Sequence, residues 1–175
     1  MAQLLVITGP IAAGKNTIAS LIAEGLTALG RLAVLVDVDD VADMVAGPGA
    51  AAAGLWFAAH QAHGALVGTW MQTPVDIVIA VGPIYTPREQ GALLEPLPEA
   101  SAVHWVVIDA PVSVTLARTQ TDPSRGLSRD PEFHDQAHQR FRQLLPQIPA
   151  AQTFNSAQMS AEQIARAVLN AISVR

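Results

Sequence analysis

Cysteine is absent from this 175-residue chain, and lysine occurs once, at Lys15. Without cysteine the chain can form no disulfide, no thiolate metal site and no cysteine nucleophile, which suits a reducing compartment such as the cytoplasm. Basic residues are also scarce, since 10 Lys and Arg stand against 15 Asp and Glu and the formal net charge is −5. This balance argues against a nucleic-acid-binding surface.

Targeting and membrane signals are also missing. The N-terminal segment lacks the basic region and the long apolar run of a signal peptide. Residues 46–75 are uncharged and longer than a membrane span, but polar, proline and glycine residues interrupt them. We therefore expect a cytoplasmic protein without membrane contact. The length suits one domain over residues 1–175.

Short apolar runs alternate with helical patterns along the chain. The predicted strands are residues 4–8, 32–38, 76–81 and 103–109. The predicted helices are residues 15–29, 111–118, 131–145 and 160–172. Strands that are apolar throughout are covered on both faces, so the pattern predicts an α/β fold with a parallel sheet between helices.

A glycine-bounded loop joins the first predicted strand to the first helix. Its sequence, G-P-I-A-A-G-K-N-T from Gly9 to Thr17, fits the pattern G-x-x-x-x-G-K. Such a loop wraps backbone N–H groups around a phosphate, the following helix directs its positive dipole end at the same anion, and the lysine bridges the β- and γ-phosphates. The residues predicted to bind a nucleoside triphosphate are Gly9, Ala12, Ala13, Gly14, Lys15, Asn16 and Thr17.

Asn16 departs from the usual pattern, which has Ser or Thr at this position as a ligand of Mg²⁺. Three arrangements remain open at this point. Thr17 could replace the missing hydroxyl, Asn16 could coordinate through its amide oxygen, or a water could intervene. The departure bears on how the metal is held, and the prediction of nucleotide binding stands without it.

Acidic residues follow the second predicted strand. In an open parallel sheet, ligands bind at the carboxyl ends of the strands. Asp37 and Asp39 are two residues apart, so on a regular strand they share a face. The alternative is that Asp39, Asp40 and Asp43 cap the next helix, where acids are favoured.

The phosphate loop and these acids together resemble small-molecule kinases of the P-loop class. The D-x-D of Asp37 and Asp39 resembles shikimate kinase and gluconate kinase, and V-D-D-V-A-D-M resembles chloramphenicol phosphotransferase. Adenylate kinases, like this chain, lack the hydroxyl after the lysine, and the zeta-toxin kinases are further relatives. The resemblance implies a P-loop NTPase fold of the nucleoside monophosphate kinase type, a three-layer α/β/α sandwich with a five-stranded parallel sheet. It also implies that Asp39 accepts the proton of the acceptor hydroxyl and that Asp37 holds Mg²⁺ through water.

The segment after the fourth predicted strand resembles the lid of the same kinases. A helix ending in Arg118 leads into a glycine-containing loop with Arg125 and Arg129, followed by D-P-E-F and a polar helix. The resemblance implies a lid at residues 119–133, with Arg118 stacked on adenine and Arg125 and Arg129 on phosphates. It places Asn155, in the segment before the last helix, beside the base. We expect Arg140 to be a solvated helix residue.

The acceptor is expected to bind in residues 40–74 and to carry no phosphate, because the chain has no Lys or Arg between Leu32 and Pro87. Trp56 in this region and Arg88 beyond it are predicted to bind the acceptor together with Asp39. Several aromatic residues here could equally be helix core. His60 and His63 lie three residues apart, but two histidines without a third ligand make a poor metal site.

These features predict an ATP-dependent kinase that uses Mg²⁺ and phosphorylates a hydroxyl of a small molecule. Its predicted catalytic residues are Lys15, Asp39, Arg125 and Arg129, and its predicted metal-holding residues are Asn16, Thr17 and Asp37. We expect a monomer or a homodimer. Two alternatives are a nucleotide-binding module without transfer activity, which Asn16 favours, and a nucleoside monophosphate kinase.

Overall fold

The computed structural model describes residues 2–47, 49–150 and 152–173, without the side chains of residues 124, 125 and 173. Its centre is a parallel sheet with strand order β2-β3-β1-β4-β5. The strands are β1 Gln3–Thr8, β2 Ala33–Asp37, β3 Ile77–Val81, β4 Val103–Asp109 and β5 Gln152–Asn155. In register, Gln3 of β1 lies opposite Ile77 of β3, and Leu4 lies opposite Val103 of β4. The predicted parallel five-stranded sheet is confirmed.

Helices cover this sheet and form its connections. They are α1 Lys15–Ala28, α2 Val38–Ala42, α3 Gly49–Ala52, α4 Trp56–Met71, α5 Pro87–Leu94, α6 Val112–Gln120, α7 Pro131–Leu144 and α8 Ala161–Ser173. Two short 3₁₀ segments, Pro123–Arg129 and Leu145–Gln147, stand before and after α7. None of the helices in the described part of the chain combines the length and apolarity needed to cross a bilayer.

Alternate residues of each strand supply two cores, one on each face of the sheet. Leu5 and Ile7 pack with the apolar faces of α1 and α8, whereas Leu4 and Val6 pack with residues of α4, α5 and α7. A fully buried Leu or Ile contributes about 1.5–3 kcal/mol relative to exposure, so both layers are needed for stability. The three-layer α/β/α sandwich is therefore confirmed.

Helix ends agree with the capping signals in the sequence. Gly30 adopts φ 73° after α1, and the N–H of Arg31 donates to the carbonyl of Leu26 at 3.0 Å, which closes the helix. At the start of α8, the hydroxyl of Ser160 accepts from the N–H of Gln163 at 3.2 Å, and the Gln163 amide oxygen accepts from the N–H of Ser160 at 2.8 Å. This is the predicted capping box.

The last strand, β5, is not among the four strands that the apolar runs of the sequence predict. Gln152–Asn155 pairs with β4, with Val106 opposite Gln152 and Asp109 opposite Asn155. This edge strand is short and mostly polar, so it lacks the apolar run that identifies the other strands. Its pairing with β4, rather than its own propensity, makes it a strand.

Candidate nucleotide and acceptor site

The phosphate loop between β1 and α1 depends on glycine at two positions. Gly9 has φ 147°, and a Cβ on it would lie 1.9 Å from the carbonyl oxygen of Ile108 in β4. Gly14 has φ 96° immediately before α1. Both conformations are ones that L side chains rarely adopt. The loop therefore packs tightly against the end of the sheet and leads directly into the N-terminus of α1.

The Lys15 side chain folds back along this loop. Its Nζ donates to the carbonyl oxygens of Gly9 at 3.0 Å and Pro10 at 2.9 Å. The buried Tyr85 hydroxyl also donates to the Gly9 carbonyl, at 2.7 Å. The ammonium group thus stands at the loop that is expected to surround the phosphates.

Asp37, at the end of β2, links the phosphate loop to α2. Its side chain is 3 % exposed, and its Oδ2 accepts from the amide nitrogen of Asn16 at 2.6 Å. Its Oδ1 accepts from the backbone N–H of Asp39 at 2.9 Å, so Asp37 is the N-cap of α2. Asp37 thus has the capping role that the sequence offered as an alternative for Asp39, Asp40 and Asp43.

Asp39 lies in the first turn of α2 and faces the cavity at the phosphate loop. Its side chain is exposed on the cavity side, but the surrounding protein removes much of the bulk water. This desolvation raises the pKa of the Asp39 carboxyl above its usual value, and Asp37 adds to the rise while Lys15 opposes it. A carboxylate with a raised pKa is suited to accept a proton.

Oxygen donors suited to Mg²⁺ gather around this point. A carboxylate only accepts hydrogen bonds, so Asn16 presents its amide nitrogen to Asp37 and keeps its amide oxygen for another partner. The Thr17 hydroxyl belongs to a residue lining the same cavity. No group of three His, Cys, Asp or Glu side chains placed to hold a metal occurs within residues 2–47, 49–150 and 152–173. A magnesium ion here would take its other ligands from phosphates and water, which is its usual habit.

One cavity of about 450 Å³ joins the phosphate loop to the region beyond Asp39. On the phosphate side it is lined by Ile11, Ala12, Gly14, Lys15, Asn16 and Thr17. We call the remaining lining residues the acceptor wall: Asp39, Ala51, Trp56, Pro83, Tyr85, Ser128, Phe133, Ala137 and Arg140. A molecule in this cavity would contact the phosphate loop and Asp39 at the same time.

A second cavity of about 320 Å³ lies on the other side of the loop, lined in part by Arg118, Ser156 and Met159. The Arg118 guanidinium donates to the carbonyls of Ala12 at 3.1 Å and Ser156 at 2.8 Å. The Ser156 hydroxyl in turn donates to the Ala13 carbonyl at 2.7 Å. These bonds engage the edge of the guanidinium, and the stacking of Arg118 on adenine stays a prediction.

Three other predicted nucleotide contacts have different surroundings. The Asn155 side chain accepts from the N–H of Ala157 at 2.9 Å and so shapes the turn after β5. Arg129 is exposed beside Ser128 of the acceptor wall. The side chain of Arg125 lies outside the described residues. The lid at residues 119–133 stays a prediction.

Trp56 and Arg88, both predicted to bind the acceptor, line different cavities. Trp56 belongs to the acceptor wall, and its ring meets His60 edge-on with centroids 5.5 Å apart. Arg88 instead stacks on Phe57, 3.6 Å from the ring centroid, and lines a separate groove of about 270 Å³. The buried His60 and His63 belong to α4, and burial is the main cause that lowers the pKa of both side chains.

Sequence reasoning missed the contribution of α7. Phe133, Ala137 and Arg140 share one face of this helix at spacings of four and three residues, and all three belong to the acceptor wall. Arg140, expected to be solvated, is 59 % exposed but also forms an ion pair with Glu89 at 3.4 Å. The helical spacing was readable in the sequence, but nothing there indicated which face of α7 meets the cavity.

Comparison with solved structures identifies the architecture. APS kinase from Mycobacterium tuberculosis, in complex with AMPPNP and APS, superposes with a TM-score of 0.72 at 16 % identity, over 98 % of each chain. Shikimate kinase from Acinetobacter baumannii, in complex with shikimate, gives a TM-score of 0.61 at 19 % identity, over 99 % of this chain and 94 % of that one. A sugar kinase from Janibacter gives 0.63 at 15 % identity, over 99 % and 96 %. The fold is that of the P-loop kinases.

No protein-family model matches the chain, and no curated protein matches it either. At these identities the superpositions speak for the fold alone. Proteins that share one fold differ in activity and substrate, and these depend on the residues of the site.

Proposed function

We propose that this protein is an ATP-dependent phosphotransferase that moves the γ-phosphate of ATP to a hydroxyl of a small, non-phosphorylated molecule. The observation that carries the proposal is the shared cavity, in which Lys15 of the phosphate loop and the Asp39 carboxyl line one space. A nucleotide-binding module would need the loop but has no use for a desolvated carboxylate facing it. The similarity of fold to kinases with small-molecule acceptors supports the same conclusion.

In the proposed reaction, the acceptor hydroxyl is positioned at Asp39 and its oxygen attacks the γ-phosphorus in line. The bond between that phosphorus and the β–γ bridging oxygen breaks, and ADP leaves with the electron pair. The hydroxyl proton passes to the Asp39 carboxylate. Lys15 and the predicted lid residues Arg125 and Arg129 stabilise the charge that develops on the phosphate oxygens.

Binding of Mg²⁺ would involve Asn16, Thr17 and, through water, Asp37. When bound, the ion would neutralise negative charge on the phosphates of ATP. In the Asn16–Asp37 hydrogen bond the amide nitrogen of Asn16 meets Asp37, which leaves the amide oxygen as a ligand for the ion, with the Thr17 hydroxyl and a bridging water as the alternatives.

The base of ATP is proposed to occupy the cavity that Arg118 and Ser156 line, and Asn155, the residue before Ser156, is kept as a predicted contact of the base. The acceptor is proposed to contact Trp56, and Arg88 is kept as a predicted acceptor contact at the outer groove. The acceptor is proposed to bind between the predicted region 40–74 and helix α7, which contributes a further part of the acceptor wall.

The test is transfer of label from γ-labelled ATP with Mg²⁺ to a library of alcohols, sugars, antibiotics, nucleosides and nucleoside monophosphates. Wild-type protein and Asp39→Asn are compared, with Asp40→Asn as the matched control because Asp40 is an exposed acid in the same helical turn. We expect Asp39→Asn to lower turnover about a hundredfold or more while ATP binding persists.

Unchanged turnover in Asp39→Asn would remove this residue from the mechanism. If the wild-type protein binds ATP but neither labels any acceptor nor releases phosphate to water, it is a nucleotide-binding module instead. Labelling of nucleoside monophosphates alone would identify a nucleoside monophosphate kinase.

A further inference from the structure

Arg140 is the one basic side chain in the acceptor wall, within the part of the chain that the structure describes. Its guanidinium is held by Glu89 of α5, with Nη2 and Oε1 3.4 Å apart. The Glu89 side chain is 9 % exposed, and its Oε2 accepts from the N–H groups of Tyr85 and Thr86, both at 2.8 Å. The backbone N–H groups of Tyr85 and Thr86 therefore hold the Glu89 carboxylate in place, and this carboxylate pairs with Arg140 beside the cavity.

This pairing sets the charge that an acceptor meets. Glu89 compensates Arg140, whereas the basic group that acts on the Asp39 carboxylate is Lys15, which is not part of the acceptor wall. Lys15 belongs to the phosphate side and is expected to serve ATP. The acceptor wall with its Glu89 support thus carries a net negative charge, and an anionic acceptor would have to compete with Glu89 for Arg140.

The body of the acceptor wall is apolar and aromatic. Trp56, Tyr85 and Phe133 present rings, and Ala51, Pro83 and Ala137 fill the space between polar groups. Tyr85 is buried and uses its hydroxyl on the Gly9 carbonyl, so its contribution to a ligand is mainly its ring. Such a surface suits a flat, apolar molecule with few polar groups.

We propose that the Glu89–Arg140 pair determines acceptor specificity, selecting an uncharged alcohol with an apolar body and a neutral oxygen, such as an amide or carbonyl, that accepts a hydrogen bond from Arg140. Carboxylate and phosphate analogues of the same alcohol are disfavoured because Glu89 and Asp39 repel them. This inference rests on the proposed kinase function for the identity of the hydroxyl at Asp39. The preference for uncharged over anionic ligands does not depend on phosphate transfer and can be measured by binding alone.

The experiment measures binding of matched alcohol pairs that differ only in charge, led by para-(hydroxymethyl)benzamide and para-(hydroxymethyl)benzoate, with benzyl alcohol as the member lacking the second oxygen. Binding is followed by calorimetry and thermal shift, with and without a non-hydrolysable ATP analogue and Mg²⁺. We expect the amides to bind about tenfold more tightly than either the carboxylates or the plain alcohols.

Two variants separate the roles of the pair. Glu89→Gln keeps an amide oxygen for the Tyr85 and Thr86 N–H groups and remains compatible with the capping box, but it removes the negative charge. It should shift the preference about tenfold toward the carboxylates. Arg140→Gln should reduce amide binding to the level of the plain alcohol. The control Arg166→Gln, an exposed arginine on α8, should change neither preference.

The proposal is overturned if wild-type protein prefers carboxylates, if no member of either series binds, or if the preference is the same in wild type and Glu89→Gln. Should Glu89→Gln fail to fold, the Arg140→Gln comparison decides alone, and equal amide binding in that variant overturns the proposal. Failure of the kinase function is seen separately, as charge-selective binding without label transfer from ATP.

Discussion

Asp39 illustrates how a reactive residue can oppose the stability of the fold that carries it. Its carboxyl pKa is raised in the folded protein above the ordinary value of 3.8, chiefly by desolvation. The folded state therefore binds this proton more tightly than the unfolded state, and ionisation of Asp39 costs folding free energy. The cost is absent below pH 3.8 and fully present above the folded-state pKa.

We accordingly expect Asp39→Asn to raise the melting temperature at pH 7 in the absence of nucleotide and metal. The gain should shrink as the pH falls through the folded-state pKa and vanish below 3.8, where the wild-type carboxyl is protonated in both states. Calorimetric scans across this pH range check the prediction, with Asp40→Asn as the control. A lower melting temperature for Asp39→Asn at pH 7 would contradict it.

Gly9 shows a second residue-level constraint. A methyl group at this position would meet the Ile108 carbonyl oxygen at 1.9 Å, and that oxygen is part of the backbone of a central strand. We expect Gly9→Ala to destabilise the protein by about 3 kcal/mol or more in urea unfolding. Gly30→Ala is the control, since Gly30 also has positive φ but open space around it, and it should cost about 1 kcal/mol.

Glycines of helix α4 allow it to pack closely against α5 and the residues that follow α5. A Cβ on Gly64 would lie 1.9 Å from the Ala92 carbonyl oxygen, and one on Gly68 would lie 2.6 Å from that of Pro96. At these two glycines the backbone of α4 lies so close to α5 and to the segment after it that a Cβ does not fit without displacement. This packing holds α4, with Trp56 in its first turn, against α5.

Replacing Gly64 by Ala should therefore separate α4 from α5 and destabilise the protein by a few kcal/mol, against the usual gain in helix propensity. Gly91→Ala in α5 is the matched control because its Cβ would lie 3.5 Å from the flexible Glu95 carboxylate, and it should be neutral or stabilising. Urea unfolding of both variants tests this. Equal effects would show that the contact is more compliant than its geometry indicates.

The helix α7 is attached to the rest of the chain by polar groups rather than by an apolar stripe alone. His134 lies between the Thr115 hydroxyl at 2.8 Å and the Ser128 carbonyl at 3.1 Å, and His138 bonds the Ala110 carbonyl at 3.0 Å. Arg142 forms a bidentate pair with Asp109, with distances of 2.6 and 2.9 Å. These contacts decide which face of α7 meets the cavity, and they join residues far apart in sequence.

The difference between local patterns and contacts far apart in sequence explains how much of the fold and the candidate site could be predicted. Residues of the phosphate loop are contiguous, and their conformational demands are local, so Gly9, Gly14 and Lys15 were readable from spacing. The apolar strands were readable because burial on both faces leaves a continuous run. Arg140 and β5 were not, because their roles arise from pairing with Glu89 and with β4, which no local pattern encodes.

At the scale of the whole molecule, Arg118 connects three segments that a nucleotide would contact. It bonds the phosphate loop at Ala12 and the segment after β5 at Ser156, and it is carried by α6. A ligand beside it would bind the assembled arrangement and not the unfolded chain. Such a ligand stabilises the fold by about 2.7 kcal/mol at a hundredfold excess over its dissociation constant.

We expect an ATP analogue with Mg²⁺ to raise the melting temperature of wild-type protein, and Arg118→Gln to lose most of that increment. The measured quantity is the difference between liganded and free protein, so a change in basal stability does not enter. Arg166→Gln should keep the full increment. An undiminished increment in Arg118→Gln would remove Arg118 from the nucleotide site.

The single lysine of the sequence is a unique site for chemical modification. Lys15 carries the only side-chain amine in the sequence, and that amine lies against the carbonyls of Gly9 and Pro10. An acylating reagent that reaches a lysine side chain therefore modifies the phosphate loop and nothing else of that kind. The extent of acylation of Lys15, measured by mass spectrometry, should therefore distinguish an open phosphate loop from one that a phosphate group covers.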